Sequence, residues 1–216
     1  HMGENTAIVH NGIIENYQEL RDELATRGVT FTSETDTEVV AHMISAYLED
    51  GLSPKEAVGK LLPRLEGAFA FVMIFKGEHD LMIGARRGSP LAIGYGEGEM
   101  FFGSDALALA PLTRRISYLE EGDWAVLTHD SAEVFDTGSN PVERAVVQTA
   151  VSGAMVGKGN FPHFMLKEIY EQPTVVGDTL STVLNPAAQT ITLPDLPVDL
   201  ADVPKITITA CGTAYY

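Results

Sequence analysis

Asn11-Gly12, Asp36, the Arg86-Arg87 pair and Cys211 are the residues whose types and settings suit chemistry in this sequence. Asn11-Gly12 directly follows the apolar run "AIVH". A type I′ hairpin turn, the usual use of Asn-Gly, needs a second strand after it, but here a helical pattern starts at Ile13. The pair is therefore expected where a strand hands over to a helix N-terminus, with free N–H groups pointing outward. A glycine N–H beside an asparagine amide supplies two donors and no obstructing Cβ. That is the requirement of an oxyanion hole, in which one donor contributes about 3 kcal/mol to a transition state. From spacing alone, a plain connection is the commoner use of such a pair.

Asp36 is expected in the first turn of a helix. There it either stabilises the helix by about 0.3–1 kcal/mol through the dipole or binds a substrate ammonium. Arg86-Arg87 stand beside a Gly-Ser-Pro turn and read as a solvated strand end. Cys211 has no His or acid near it in sequence, so a small-residue role at a strand-to-loop junction is expected. The histidines, at 1, 10, 42, 79, 129 and 163, form no metal-ligand spacing with one another or with the cysteine. No zinc site and no cofactor are expected. There is no GxSxG elbow, and "GAMVGKGN" lacks the spacing and final hydroxyl of a phosphate loop, so it reads as flexible linker.

Periodicity supplies the elements that must position these groups. Residues 6–9 read as a short strand, and Ile13, Tyr17, Leu20 and Leu24 fall at helical spacing before a stop at Gly28. "VTFTS" alternates like a strand, and Thr35 with Glu38 makes a capping box. Val39, Val40, Met43, Ile44, Tyr47 and Leu48 form the stripe of a second helix, and Ser53-Pro54 opens a third. "AFAFVMIF" is then a continuous apolar strand, suited to a sheet covered on both faces. Short strands follow at 80–86, 90–94, 99–104, 115–120, 123–128 and 132–136. Helices first and strands after predict α+β layers of antiparallel sheet. Most of 137–162 reads as linker, 163–180 as a helix with Pro173 as a turn or kink, and 185–204 as coil. "KITITACGTAYY" reads as a strand entering a phosphate-binding type of turn, at which a second domain is cut off.

Composition bounds the partners. The chain has 14 basic and 30 acidic residues, a formal charge of -16, which argues against a nucleic acid or an anionic membrane as the main partner. One cysteine permits no internal disulfide and fits a reducing compartment, so a cytoplasmic location is expected. No apolar run approaches a membrane span. His1-Met2 reads as a cloning remnant.

The stretches "VHNGIIENY", "SETDTEV", "RRGSPLAIG", "LEEGD", "HFMLKEIYEQP" and "ACGTA" occur in the order found in the glutamine–fructose-6-phosphate aminotransferases (isomerizing), the glucosamine-6-phosphate synthases. The chain resembles that family over nearly its whole length. The resemblance implies an incomplete N-terminal-nucleophile hydrolase αββα sandwich over 1–152. Over 153–216 it implies a linker and the first elements of a doubly wound α/β sugar-isomerase domain. In the family an N-terminal cysteine attacks glutamine with its own α-amino group as base, and ammonia passes to the second domain to aminate fructose 6-phosphate. By the same resemblance Asn11 and Gly12 are the oxyanion hole and Asp36 holds the α-amino group of glutamine. Thr213 begins the sugar-phosphate site; Ala214 stands where the family often has serine. The nucleophilic cysteine is not among these residues, so the piece is expected to be inactive alone, and missing strands predict exposed sheet edges and a homo-oligomer. Two alternatives stand beside this: a non-catalytic glutaminase-like binding module, and a glutaminase domain serving another acceptor, against which "KEIYEQP" with "ACGT" argues.

Overall fold

The computed structural model describes residues 1–150, 157–185, 190–191 and 202–210. It divides into two compact units, His1–Gly157 and Lys158–Tyr216. The first unit opens with β1 (Thr6–Ile14), α1 (Tyr17–Thr26), α2 (Asp36–Glu49) and α3 (Pro54–Leu61). It continues with β2 (Gly67–Phe75), β3 (Glu78–Arg87), β4 (Ala92–Tyr95) and β5 (Met100–Gly103). After the one-turn helix α4 (Ala106–Leu109) come β6 (Arg115–Tyr118), β7 (Trp124–Leu127), β8 (Ala132–Phe135), β9 (Pro141–Val142) and β10 (Val147–Gln148). Six strands form an antiparallel sheet in the order β1-β2-β3-β7-β8-β9, and four form a second in the order β10-β6-β4-β5.

The side chains of β2 explain the layering. Phe69, Phe71, Met73 and Phe75 pack with Leu20, Leu24, Met43, Ile44, Val58 and Leu61 of the three helices. The other face of the same sheet, through Ala70, Ala125, Leu127 and Val134, packs on Leu91, Ile93 and Leu119. β2 is covered on both faces, and its sequence is accordingly a continuous apolar run. The outer face of the second sheet carries Ala92 and Ile116 against Ala106 and Leu109 of α4. The order of layers is helices, sheet, sheet, and a single helical turn. Each large side chain taken out of water here contributes about 1.5–3 kcal/mol.

Several expectations need correction. β1 does not stop at residue 9. It runs through Asn11-Gly12 to Ile14, with Asn11 opposite Ala70 and Gly12 opposite Phe69, so the pair lies inside an edge strand and α1 starts only at Tyr17. Residues 29–33 form no strand, because the N–H groups of Thr32 and Ser33 are taken by the Glu38 carboxylate at 2.7 and 2.8 Å. For the same reason the Thr35–Glu38 capping box does not form: Glu38 reaches past Thr35, whose side chain makes no cap bond. Within the expected linker, β9 and β10 join the two sheets, and Arg144 grips the buried Asp123 with Nε and Nη2 at 2.7 and 2.9 Å. α4 went unanticipated; Asp105 caps it by accepting the Ala108 N–H at 2.8 Å.

In the second unit α5 (Phe164–Ser181) takes Pro173 within it, and β11 (Leu184–Asn185) pairs with β12 (Thr190–Ile191) where coil was expected. Residues 205–210 alternate in polarity, yet they carry no strand, since nothing among the described residues pairs with them. Cys211 and Thr213 lie outside the described residues.

Candidate functional site

The site is built on the outer edge of β1. This strand ends its sheet, so one row of its backbone groups faces no neighbouring strand among the described residues. The first stretch of that edge is filled locally: the Ile8 N–H donates to the His1 carbonyl at 2.8 Å, and Met2 bridges Ala7. At the far end the Ile14 N–H donates to Asp36 Oδ2 at 2.8 Å. Strand alternation assigns the N–H of Gly12 to the same edge, between those two anchors.

Gly12 has a φ of 120°, a backbone conformation that side chains with a Cβ rarely adopt. A Cβ there would stand 2.1 Å from the Ala68 carbonyl oxygen. Glycine is thus required by the backbone on both counts. Asn11 beside it is exposed and borders a cleft of about 250 Å³, whose walls include Val9, Val72, Leu91, Phe102 and Ser104. A larger opening of about 470 Å³ lies between Ile74, Met82, Met100 and Leu127 and contains none of the expected site residues.

Asp36 begins α2, and its carboxylate is already bonded on both oxygens. Oδ2 accepts from Ile14, and Oδ1 accepts from the Thr37 N–H at 2.8 Å and the Thr37 hydroxyl at 3.3 Å. Its side chain is 21% exposed, which leaves lone pairs available to a cation. The structure therefore brings Asp36 to the strand that carries Asn11 and Gly12, through a single hydrogen bond to Ile14. The sequence reading missed His10 and Thr37. Both stand immediately beside expected site residues, His10 before Asn11 and Thr37 after Asp36, and that adjacency was the available signal. His10 Nδ1 lies 2.9 Å from Thr37 Oγ1 and 3.8 Å from Asp36 Oδ1. Burial pushes the His10 imidazole below its ordinary pKa and the Asp36 charge pushes it back up; the net shift is downward, so the ring is neutral near pH 7.

Glu38 fixes the loop that enters α2. It is 1% exposed and accepts four hydrogen bonds, from the N–H and the hydroxyl of both Thr32 and Ser33. Burial alone would raise its pKa, but the Ser33 and Thr32 donors outweigh it and hold the carboxyl at about 2. The two arginines are structural. Arg87 donates to the Leu65 carbonyl and lies over the Phe69 ring, while Arg86 donates to the Leu119 carbonyl at 3.0 Å and pairs with Glu121 at 2.7 Å. Among the described residues no cluster of three His, Cys, Asp or Glu side chains is placed to hold a metal, and no helix is long and apolar enough to cross a membrane.

The chain is 56% identical over 216 residues to the glutamine–fructose-6-phosphate aminotransferase (isomerizing) of Zymomonas mobilis subsp. mobilis, 55% over 217 residues to that of Bradyrhizobium diazoefficiens, and 51% over 216 residues to that of Gluconobacter oxydans. Each alignment covers 100% of this chain and 36% of the relative, so the chain spans about a third of the length of these relatives. Among solved structures, the glutamine phosphoribosylpyrophosphate amidotransferase from B. subtilis, complexed with ADP and GMP, superposes with a TM-score of 0.52 at 26% identity, over 65% of this chain and 31% of that one. A structure described as the allosteric regulatory enzyme of purine biosynthesis matches with the same TM-score and identity. The family described as glutamine amidotransferase domain matches residues 1–111. With that family matched over half of its length, the chain belongs to the glutamine amidotransferase domain family.

Proposed function

We propose that this chain is the glutamine-handling part of a glutamine–fructose-6-phosphate aminotransferase. The observation that carries the reading is 56% identity sustained over all 216 residues to a relative so named. Identity to the phosphoribosylpyrophosphate enzyme is 26%, which favours fructose 6-phosphate as the acceptor of the nitrogen. In this reading residues 1–152 are an N-terminal-nucleophile hydrolase domain of αββα type. Residues 153–216 are a linker and the start of a doubly wound sugar-isomerase domain, with Thr213 at the sugar phosphate. A cysteine thiolate adds to the glutamine carboxamide carbon. The carbonyl oxygen gains the negative charge, and the Gly12 N–H and the Asn11 side-chain amide stabilise it. The cysteine's α-amino group, which took the thiol proton, returns it to the departing nitrogen; collapse then expels ammonia and leaves a thioester, which water hydrolyses to glutamate. The ammonia aminates fructose 6-phosphate to give glucosamine 6-phosphate. Asp36 receives the α-ammonium of glutamine on the lone pairs its protein donors leave open. A cytoplasmic location fits the single cysteine, and no nucleic acid or membrane is a partner in this reading. Exposed Val9, Ile13 and Ile74 on one face of the β1–β2 edge support a homo-oligomer.

The only cysteine in the 216 residues is Cys211, so this polypeptide is expected to release glutamate from glutamine at background rate while still binding it. Calorimetry with L-glutamine tests the site. Asp36→Asn keeps an acceptor for the Ile14 N–H but removes the charge, and a loss of about tenfold or more in affinity is expected. Unchanged affinity in that variant, absence of binding in the parent chain, or turnover above background would overturn the reading.

A further inference from the structure

Asn11, Gly12 and Ile13 lie inside a closed ring of bonds. The ring runs from the His10 imidazole to Thr37 Oγ1 at 2.9 Å, and from there to Asp36 Oδ1 at 3.3 Å. It leaves the same carboxylate through Oδ2, which holds the Ile14 N–H at 2.8 Å, and closes along the backbone of β1. The two ends of the tripeptide are therefore tied to one residue pair at the start of α2. Between the ties sits Gly12, at a φ of 120°. β2 holds the inner edge of this segment, while its outer edge has no strand beside it among the described residues.

His10 is an unusual choice for packing alone. Its side chain is 3% exposed, and Nε2 is buried without a hydrogen-bond partner among the described residues. An apolar residue would fill that space with no unmet polar atom. The Thr37 hydroxyl has one proton. If it is given to Asp36, Thr37 accepts from Nδ1–H, and Nε2 is left as a bare acceptor. Of the two tautomers, this one avoids a buried N–H with no acceptor. The imidazole sits on the helix side of the sheet, with Ile8 and Ile14 as its strand neighbours on that face, while Asn11 points the other way. The His10 imidazole therefore faces away from the Asn11 side chain, although the residue itself borders the same cleft.

We propose that His10 is a positioning residue: through Thr37 it couples the Asn11–Gly12 segment to Asp36, so that the oxyanion donors and the ammonium acceptor are held as one unit. The functional half of this rests on the amidotransferase reading of the site; the mechanical half does not. Amide hydrogen exchange followed by NMR on the 216-residue chain separates the two. Thr37→Val, which keeps shape and removes the hydroxyl, and His10→Leu are both expected to speed exchange at Ile14 by about tenfold or more. In these variants the Asn11 side-chain and Gly12 amide resonances shift, while amides of β3 and α3 keep parental protection. Thr37→Ser, which restores the hydroxyl, returns Ile14 to the parental rate. Exchange at Ile14 within about twofold of the parent in both variants would overturn the proposal. So would acceleration spread evenly over β3 and α3, which marks a merely structural role. Titration of the parent chain with L-glutamine is the separate arm. Absence of shifts at Asn11, Gly12 and Thr37 overturns the functional half alone, because the exchange result stands without it.

Discussion

Single residues at this site are held by geometry that their types do not announce. Gly12→Ala is expected to destabilise the chain by about 3 kcal/mol, because it places a Cβ against a backbone oxygen at a disallowed φ. Gly28→Ala is the control: its φ is 84°, but nothing among the described residues lies within 4 Å of the added methyl, so only the left-handed conformation is penalised, by about 1 kcal/mol. Urea unfolding of the two variants reads the difference, and equal losses would show that the Ala68 contact does not decide. Glu38 gives a second prediction. Its folded pKa is depressed to about 2 from the ordinary 4.5, so its contribution is fully present above 4.5 and is lost as pH falls from there through about 2. Glu38→Gln is expected to be less stable than the parent by about 2 kcal/mol at pH 7, and the gap should narrow at pH 3. A gap that stays constant over that window would sink the assignment. At this scale the sequence was only half legible. Asn11, Gly12 and Asp36 stood out by type, but the bond from Ile14 to Asp36 joins residues far apart in sequence, and no local pattern encodes it. Arg86 and Arg87 had the look of free cations, and only the fold showed that carbonyls occupy them.

At the scale of elements, 3.6-residue periodicity located α1 and α3, which turn one face to a core, and continuous apolar runs located strands such as β2, which is covered on both faces. It failed where hydrogen bonding overruled pattern. Asn-Gly is a breaker by type, yet β2 supplies a full set of partners opposite Thr6–Ile14, and the strand continues through it. The two expected helix caps make the contrast testable. At Ser53 the box is complete: the hydroxyl accepts the Glu56 N–H, and Glu56 reaches back to the Ser53 N–H at 2.9 Å. Ser53→Ala is therefore expected to cost about 1 kcal/mol. At Thr35 the matching glutamate is engaged elsewhere, so Thr35→Ala should change stability by less than about 0.5 kcal/mol. Thermal unfolding of both variants checks this, and a Thr35→Ala loss as large as that of Ser53→Ala would mean that the cap forms after all.

For the whole molecule, the question is which residues make the stable body. Every buried hydrophobic residue among those described falls between Ile8 and Phe135, and the fully buried members of the three core clusters come from that range, with the half-buried Val142 packed against the second. α5 has no buried residue, and large apolar side chains along it, Met165, Ile169 and Tyr170 among them, are more than half exposed. Hydrophobic burial dominates the free energy of folding, so stability should reside in the unit His1–Gly157. The β9–β10 segment belongs with it, since Arg144 neutralises the buried Asp123 and these strands extend both sheets. A chain ending at residue 157 is therefore expected to unfold cooperatively with a Tm within about 2 °C of the 216-residue chain. A chain ending at residue 136 loses β9, β10 and the Arg144 pair and leaves an uncompensated buried carboxylate, a change worth about 3–5 kcal/mol. Its Tm should fall by about 6 °C or more. Differential scanning calorimetry of the three lengths decides the matter: a large loss on removing residues 158–216 would place part of the stabilising core beyond Gly157. The opposite pattern, a loss only at the shorter cut, would fix the body of the amidotransferase domain as the two sheets with their three helices and the Arg144 strap.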